Sequence, residues 1–226
     1  MATKTTTLAA VETEPKGKKV VTIAPPAFQW AELRIKGTAP LVINNFSQKG
    51  RIEMLAKHME GSKSMKGVKR EPKNPEALFN GARHLSREGW DGIPANSFRN
   101  ALISACRLVG FKMTIAKLSL FIEEDGRDVS DGTPLVKITS GKPHRCDLPV
   151  KNDDGSIDIR VRPMWDDWTA TVRVRYDSEM FSVEDVTNLL ARVGMQVGLC
   201  EGRPDSKNSA GMGWGLFEIV SDSKKG

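Results

Sequence analysis

Residues 92–110 read GIPANSFRNALISACRLVG and residues 168–176 read WTATVRVRY. In the first stretch Phe98, Leu102, Ala105 and Val109 recur at i, i+4, i+7 and i+11, the spacing of one helix face, with Asn96 or Ser97 as candidate N-cap and Gly110 as a stop. In the second, Trp168, Ala170, Val172, Val174 and Tyr176 share one side of a strand, while Thr169, Thr171, Arg173 and Arg175 share the other. Each element has one apolar face to bury, so the pair predicts helices packed on one side of a sheet.

Outward from this pair, residues 30–36 alternate in the same way, with Ala31, Leu33 and Ile35 against Glu32, Arg34 and Lys36. Residues 158–162 set Ile159 and Val161 opposite Arg160 and Arg162. Residues 117–122 and 135–138 read as short core strands, and residues 214–220 as the last one. Residues 47–60 place Ile52, Leu55, Ala56 and Met59 at helical spacing. Ser182 and Asp185 resemble a capping box that opens a helix with core residues Val183, Val186, Leu190 and Val193, closed by Gly194. The order strand, helices, strands, helix, strand predicts an α+β fold of the modified ferredoxin-like type, with helices on one face of an antiparallel sheet.

One such domain is expected over residues 29–221. Residues 1–28, rich in Thr and Lys, read as a flexible arm, residues 61–75 as a mobile basic loop, residues 147–158 as a polar hairpin tip or loop, and residues 222–226 as a polar tail. The chain has 226 residues, 39% of them hydrophobic, and a mean hydropathy of −0.36, enough apolar material for a core. No run suits a membrane span and the first residues lack the apolar block of a secretory signal, so a cytoplasmic protein is expected. Cys106, Cys146 and Cys200 are odd in number and form no CxxC pair, which argues against a disulfide framework or a zinc finger.

A net charge of +6 and a pI near 9.3 permit a polyanionic partner. If the alternation holds, Arg34, Lys36, Arg160, Arg162, Arg173 and Arg175 gather on one water-facing sheet surface, where guanidinium forks suit phosphate oxygens. Lys66, Lys69 and Arg70 in the basic loop, Arg99 on the helix, and Arg203, Lys207 and Trp214 in the glycine-rich residues 198–215 would complete the site, with Trp214 stacking on a base. Six engaged cations would give a slope of log K on log[salt] of about −4. Glu123, Glu124, Asp125, Asp128 and Asp131 miss the EF-hand spacing and read as solvated turn charges; His58, His84 and His144 have no partner at metal or triad spacing. No nucleotide loop, hydrolase elbow or zinc-protease motif occurs, so no catalytic residue, metal or cofactor is expected.

The stretch Ile93-Pro94-Ala95-Asn96-Ser97-Phe98-Arg99-Asn100-Ala101-Leu102 resembles the "IPGSSLKGAL" helix opening of the RAMP superfamily, the backbone and processing subunits of CRISPR effector complexes. Gly211-Met212-Gly213-Trp214-Gly215 is similar to its glycine-rich C-terminal loop, and Gly37-Thr38-Ala39-Pro40-Leu41 follows the first strand as it does there. Over residues 30–220 the chain resembles a family of tailed-phage proteins even more. Ala95 departs from the superfamily pattern and Cys200 from the phage pattern, each standing where a glycine is usual. The resemblance implies an RNA-recognition-like fold that holds single-stranded nucleic acid and polymerises along it. The expectation is a non-catalytic single-strand-binding phage protein that takes DNA rather than RNA and forms homo-oligomers or filaments. A metal-dependent nuclease using residues 125–131, a CRISPR-like ribonucleoprotein subunit, and a phage structural or host-interaction protein are the alternatives.

Overall fold

The computed structural model describes residues 25–46, 50, 54–56, 74–151, 155–206 and 211–220. In chain order the elements are β1 (Phe28–Gly37), β2 (Leu41–Val42), α1 (Pro75–Gly81), β3 (Gly92–Pro94), α2 (Ala95–Leu108), α3 (Met113–Ser119), β4 (Leu120–Glu123), β5 (Gly126–Arg127), β6 (Pro134–Ser140), β7 (His144–Lys151), β8 (Ile157–Trp165), β9 (Thr169–Asp177), α4 (Val183–Arg192) and β10 (Phe217–Ile219). Together they make an α+β fold with antiparallel sheets.

The alternation read from residues 30–36 and 168–176 becomes the longest pairing of the main sheet: β1 and β9 run antiparallel from Phe28 opposite Asp177 to Lys36 opposite Thr169. The other edge of β9 is divided. β6 joins it at Thr169 and Ala170, and β4 joins it from Arg173 to Tyr176. With β10 beyond β1, and β3 and β5 beyond β6, the main sheet has seven strands. Phe98, Leu102, Ala105 and Cys106 of α2 and Val186, Leu189 and Leu190 of α4 share one buried cluster with Ala31, Ile35, Ala170, Val172 and Val174 of the sheet. Each large side chain buried there stabilises by roughly 1.5–3 kcal/mol.

Helix ends follow their local chemistry. Ser182 Oγ accepts from Asp185 N at 3.1 Å while Asp185 Oδ2 accepts from Ser182 N at 2.9 Å, so the capping box forms. Gly110, at φ 72°, stops α2: its N–H donates to Arg107 O and that of Phe111 to Cys106 O, the paired bonds of a Schellman turn.

Several elements differ from the sequence reading. Residues 113–119, expected in part as a strand, form α3, because Ala116 and Ser119 at helical spacing are its buried residues. Neither Asn96 nor Ser97 caps α2; Pro94 is its boundary residue. Val109 lies beyond the helix and is exposed, and Cys106 fills the core in its place. Val183 is exposed, and Leu189 takes its share of the buried face. Gly194 does not end α4: the chain continues as a π-helical turn, Val193–Val197. A Cβ on Gly194 would stand 2.1 Å from Phe217 O, so glycine serves packing against β10 there. Of residues 147–158, read as a hairpin tip or loop, 147–151 lie in β7 and 157–158 in β8 at the end of the β7–β8 hairpin; Ile159 is exposed, and the last strand covers only Phe217–Ile219. Phe28 already pairs in β1, and Asn74 caps α1 through Glu76 N and Ala77 N, so the expected arm and basic loop end sooner than their sequence bounds. Residues 1–24, 61–73 and 222–226 lie outside the described residues; of the helix expected over 47–60, residues 50 and 54–56 are described and are helical.

A second sheet, β2–β8–β7, stands apart from the first. Its root is buried through Leu41, Val42, Met164 and Trp165, whereas Ile157 and Ile159 near the turn are exposed.

The two glycine environments separate sharply in an expected stability test. Gly81 has nothing within 4 Å of an added Cβ, so Gly81→Ala is expected to be neutral or stabilising by up to about 1 kcal/mol. Gly194→Ala is expected to cost about 1–3 kcal/mol or more through backbone displacement. Urea midpoints at unchanged m-value measure both.

Candidate nucleic-acid interface

The strand arginines do not form the free cationic surface that alternation suggested. Arg173 donates to Asp125 Oδ1 at 2.7 Å and to Glu124 O at 2.9 Å. Arg175 Nε lies 3.2 Å from Glu123 Oε1, and its guanidinium packs against both the Phe28 and Phe121 rings at 5.2 and 4.8 Å, the two rings themselves meeting edge to face. Arg99 stacks on Phe121 from α2 and donates to the carbonyls of Lys117 and Leu120, which makes it a brace for the α3 end. Arg34 and Lys36 are exposed on the outer face of the main sheet, but Glu32 shares that face and Glu218 is the cross-strand neighbour of Lys36. The surface is charge-balanced.

Arg160 and Arg162 fall on β8, in the second sheet, and Arg162 donates to Glu201 at 2.7 Å. Lys66, Lys69, Arg70 and Lys207 lie outside the described residues. The strand pattern placed every one of the described cations on the outward side of its own strand. It could not say which sheet a strand joins, nor that β4 delivers Glu123 and Asp125 beside β9.

Trp30 was not singled out from sequence as a contact residue. It stands on the outer face opposite Arg175 and is 64% exposed. Trp214, expected to stack on a base, is half-buried: a Cβ on Gly202 would meet its ring at 2.4 Å, so its face is occupied by that glycine. The glycine-rich segment folds on itself, with Met212 and Trp214 donating to Gly202 O and Leu199 donating to Gly215 O. An added Cβ on Gly215 would meet Leu199 O at 2.1 Å, which is why glycine is needed at this crossing.

Among the described candidates, Arg34 and Lys36 line a cavity of about 360 Å³ with Thr139, Thr169 and Thr171, and Arg203 lines a polar hollow at the start of α2. Two cavities adjoin at the start of α2. One, about 540 Å³, is lined by Asn96, Asn100, Ser104, Lys117 and Arg203; the other, about 270 Å³, by Asn44, His84, Asn96, Glu201 and Arg203, and Ser97 borders both. No side chain caps this fourteen-residue helix, whose start carries the positive end of the helix dipole, and Asn96 and Ser97 at that start line the hollow. Ser97 Oγ instead accepts from Cys200 N at 3.2 Å, tying the glycine-rich segment to the helix start. Cys200 takes φ 59°, and desolvation pushes its thiol up to about 11 against the Ser97 hydrogen bond, so it is no nucleophile at neutral pH. At the far wall, Ser104 and Arg107 both donate to Asp205; the Ser104 bond, with Arg107 and Arg203 behind it, holds that carboxyl below the usual carboxylate range.

Behind the smaller cavity lies a buried polar cluster. His84 Nδ1 is 2.6 Å from Asp128 Oδ2, and the two residues are 7% and 1% exposed. Asn45 Nδ2 donates to the same oxygen at 3.3 Å, and Ser130 donates from N and Oγ to Oδ1 at 2.7 and 2.6 Å. This corrects the reading of Asp128 as a solvated turn charge and gives His84 a partner outside any motif spacing: the two lie 44 positions apart and meet where Leu85 pairs with Asp91 and Ser86 with Asp128. The remaining acidic residues diverge. Asp125 holds Arg173 and Lys137 N, and Asp131 accepts from Thr133 N. Among the described residues no three His, Cys, Asp or Glu side chains converge as a metal site, and no helix is long and apolar enough to cross a membrane.

No protein-family model matches the chain, and a search of curated proteins finds no similar sequence.

The buried cluster has an expected energetic signature. Asp128→Asn is expected to destabilise by about 1.5–3 kcal/mol, because it weakens bonds to a buried imidazole and a buried amide. Asp131→Asn, on an exposed turn, is expected to stay within about 1 kcal/mol. Thermal and urea unfolding of the two variants compare them directly.

Proposed function

We propose that this chain is a non-catalytic single-strand nucleic-acid-binding protein whose ligand's phosphates enter the paired cavities at the start of α2. The observation that carries the reading is the junction at Asn96, Ser97 and Arg203, where an uncapped helix start, the Arg203 guanidinium and the Lys117 ammonium border one polar hollow. Such a start offers oriented N–H donors to an anion, and Arg203 adds a fork for phosphate oxygens.

Two further features support it. The stretches that carry the RAMP resemblance, residues 93–102 and 211–215, lie over a hundred residues apart in sequence yet meet around this hollow through Ser97, Cys200 and the Leu199–Gly215 bond. The four strands β10–β1–β9–β4, with α2 crossing between β1 and β4 and α4 between β9 and β10, favour the modified ferredoxin-like reading of the fold. On the phage resemblance the preferred ligand is DNA, bound by copies assembling along the strand.

The cation set is smaller than alternation suggested, since Arg99, Arg162, Arg173 and Arg175 are already engaged. Binding of a fluorescent oligothymidylate is expected to weaken with salt. Arg203→Ala and Lys117→Ala should each weaken it and flatten the slope of log K on log[salt] by about 0.7, while Arg160→Ala on the hairpin leaves both unchanged. Anisotropy titrations decide; absence of any salt-dependent binding to DNA or RNA oligomers would favour a protein-binding phage component instead.

A further inference from the structure

His84 has no part in the reading above, yet it is the most deeply buried ionisable side chain bordering the hollow. Asp128 takes its Nδ1, so the hydrogen on that nitrogen points at the carboxylate in both charge states of the ring. A second proton can enter only at Nε2. Among the described residues no hydrogen bond engages Nε2, and His84 lines the smaller cavity with Asn96, Ser97 and Arg203.

The remaining charges around the ring are largely spoken for. Glu201, across the cavity, accepts from Arg162 on β8; Arg83, the preceding residue, is clamped by Asp91 at 2.8 and 2.7 Å; Arg203 donates to Cys200 O. Among the described residues Asp128 is the one carboxylate within ion-pair distance of the imidazole, and its own orientation is fixed by Asn45 and Ser130.

We propose that His84 is a phosphate ligand of the smaller cavity, and that a strand seated there binds together with one proton. A neutral ring presents a lone pair at Nε2, which repels a phosphate oxygen; the imidazolium presents an N–H donor and a positive charge, braced by Asp128 behind it. A phosphodiester therefore selects the protonated ring, and by linkage the affinity falls as pH rises. This rests on the proposed seating of the strand at the start of α2.

Oligothymidylate is the probe, because neither its bases nor its phosphodiesters titrate between pH 5.5 and 8.5. At constant ionic strength the wild-type affinity is expected to fall about tenfold or more across that range, against a ceiling of about tenfold per pH unit for one linked proton. His84→Gln is expected to bind at the weaker level with a flat profile, and His144→Gln, on β7, to keep the wild-type profile. Calorimetry of the wild type in two buffers of different ionisation enthalpy near pH 6.5 should register net proton uptake, independent of any variant's folding. A flat wild-type profile, an unchanged slope in folded His84→Gln, or no proton uptake overturns the assignment of His84 while leaving the binding function standing. Failure to bind at every pH overturns both.

Discussion

Strand β9 is paired on both edges. β1 occupies one side along its full length, while on the other β6 pairs at Thr169 and Ala170 and β4 from Arg173 to Tyr176. Ala170, Val172, Val174 and Tyr176 then fix which face of the sheet receives α2 and α4, because a shift of one residue would move all four to water. Once that face is set, the start of α2 must emerge beside the segment that returns from α4 to β10, and the polar hollow lies at that meeting. The Ser97–Cys200 bond and the grip of Ser104 and Arg107 on Asp205 hold the two walls together.

The same constraint explains why the outer face is not a cationic surface. Pleating sends Arg173 and Arg175 outward, but the strand that completes this edge brings Glu123 and Asp125 within ion-pair distance. The guanidinium of Arg175 packs against two phenyl rings in mutual contact, and Arg99 stacks on one of them, Phe121, so these cations join β1, β4, β9 and α2 laterally. Their chemistry is spent on cohesion. Cations that border the hollow at the start of α2, Arg203 and Lys117, are fewer.

Much of the fold was readable from short windows. The α2 face at Phe98 and Leu102, the stop at Gly110, the Ser182–Asp185 box and the alternation of β1 and β9 all appear as read, since each is set by backbone periodicity or by bonds spanning three to five residues. Windows with two compatible periods were misread: residues 113–119 suit a strand or a short helix, and packing of Ala116 and Ser119 decides for the helix. In the candidate site only Arg203 was found from sequence. Asn44, His84 and Lys117 carry no local signature, being ordinary polar residues until the chain folds.

By itself the sequence determined the positions of the amphipathic elements, the outward side of each arginine on its own strand, and the density of glycine near the end, because steric period and φ freedom are local properties. Tertiary structure decided the partners: Asp128 for His84, Asp125 for Arg173, Glu201 for Arg162, and Cys200 for Ser97. Those pairings span tens to over a hundred residues and depend on which strand edge lies beside which. A one-dimensional pattern holds no distance between them, and the charge state and reach of each side chain follow from that distance.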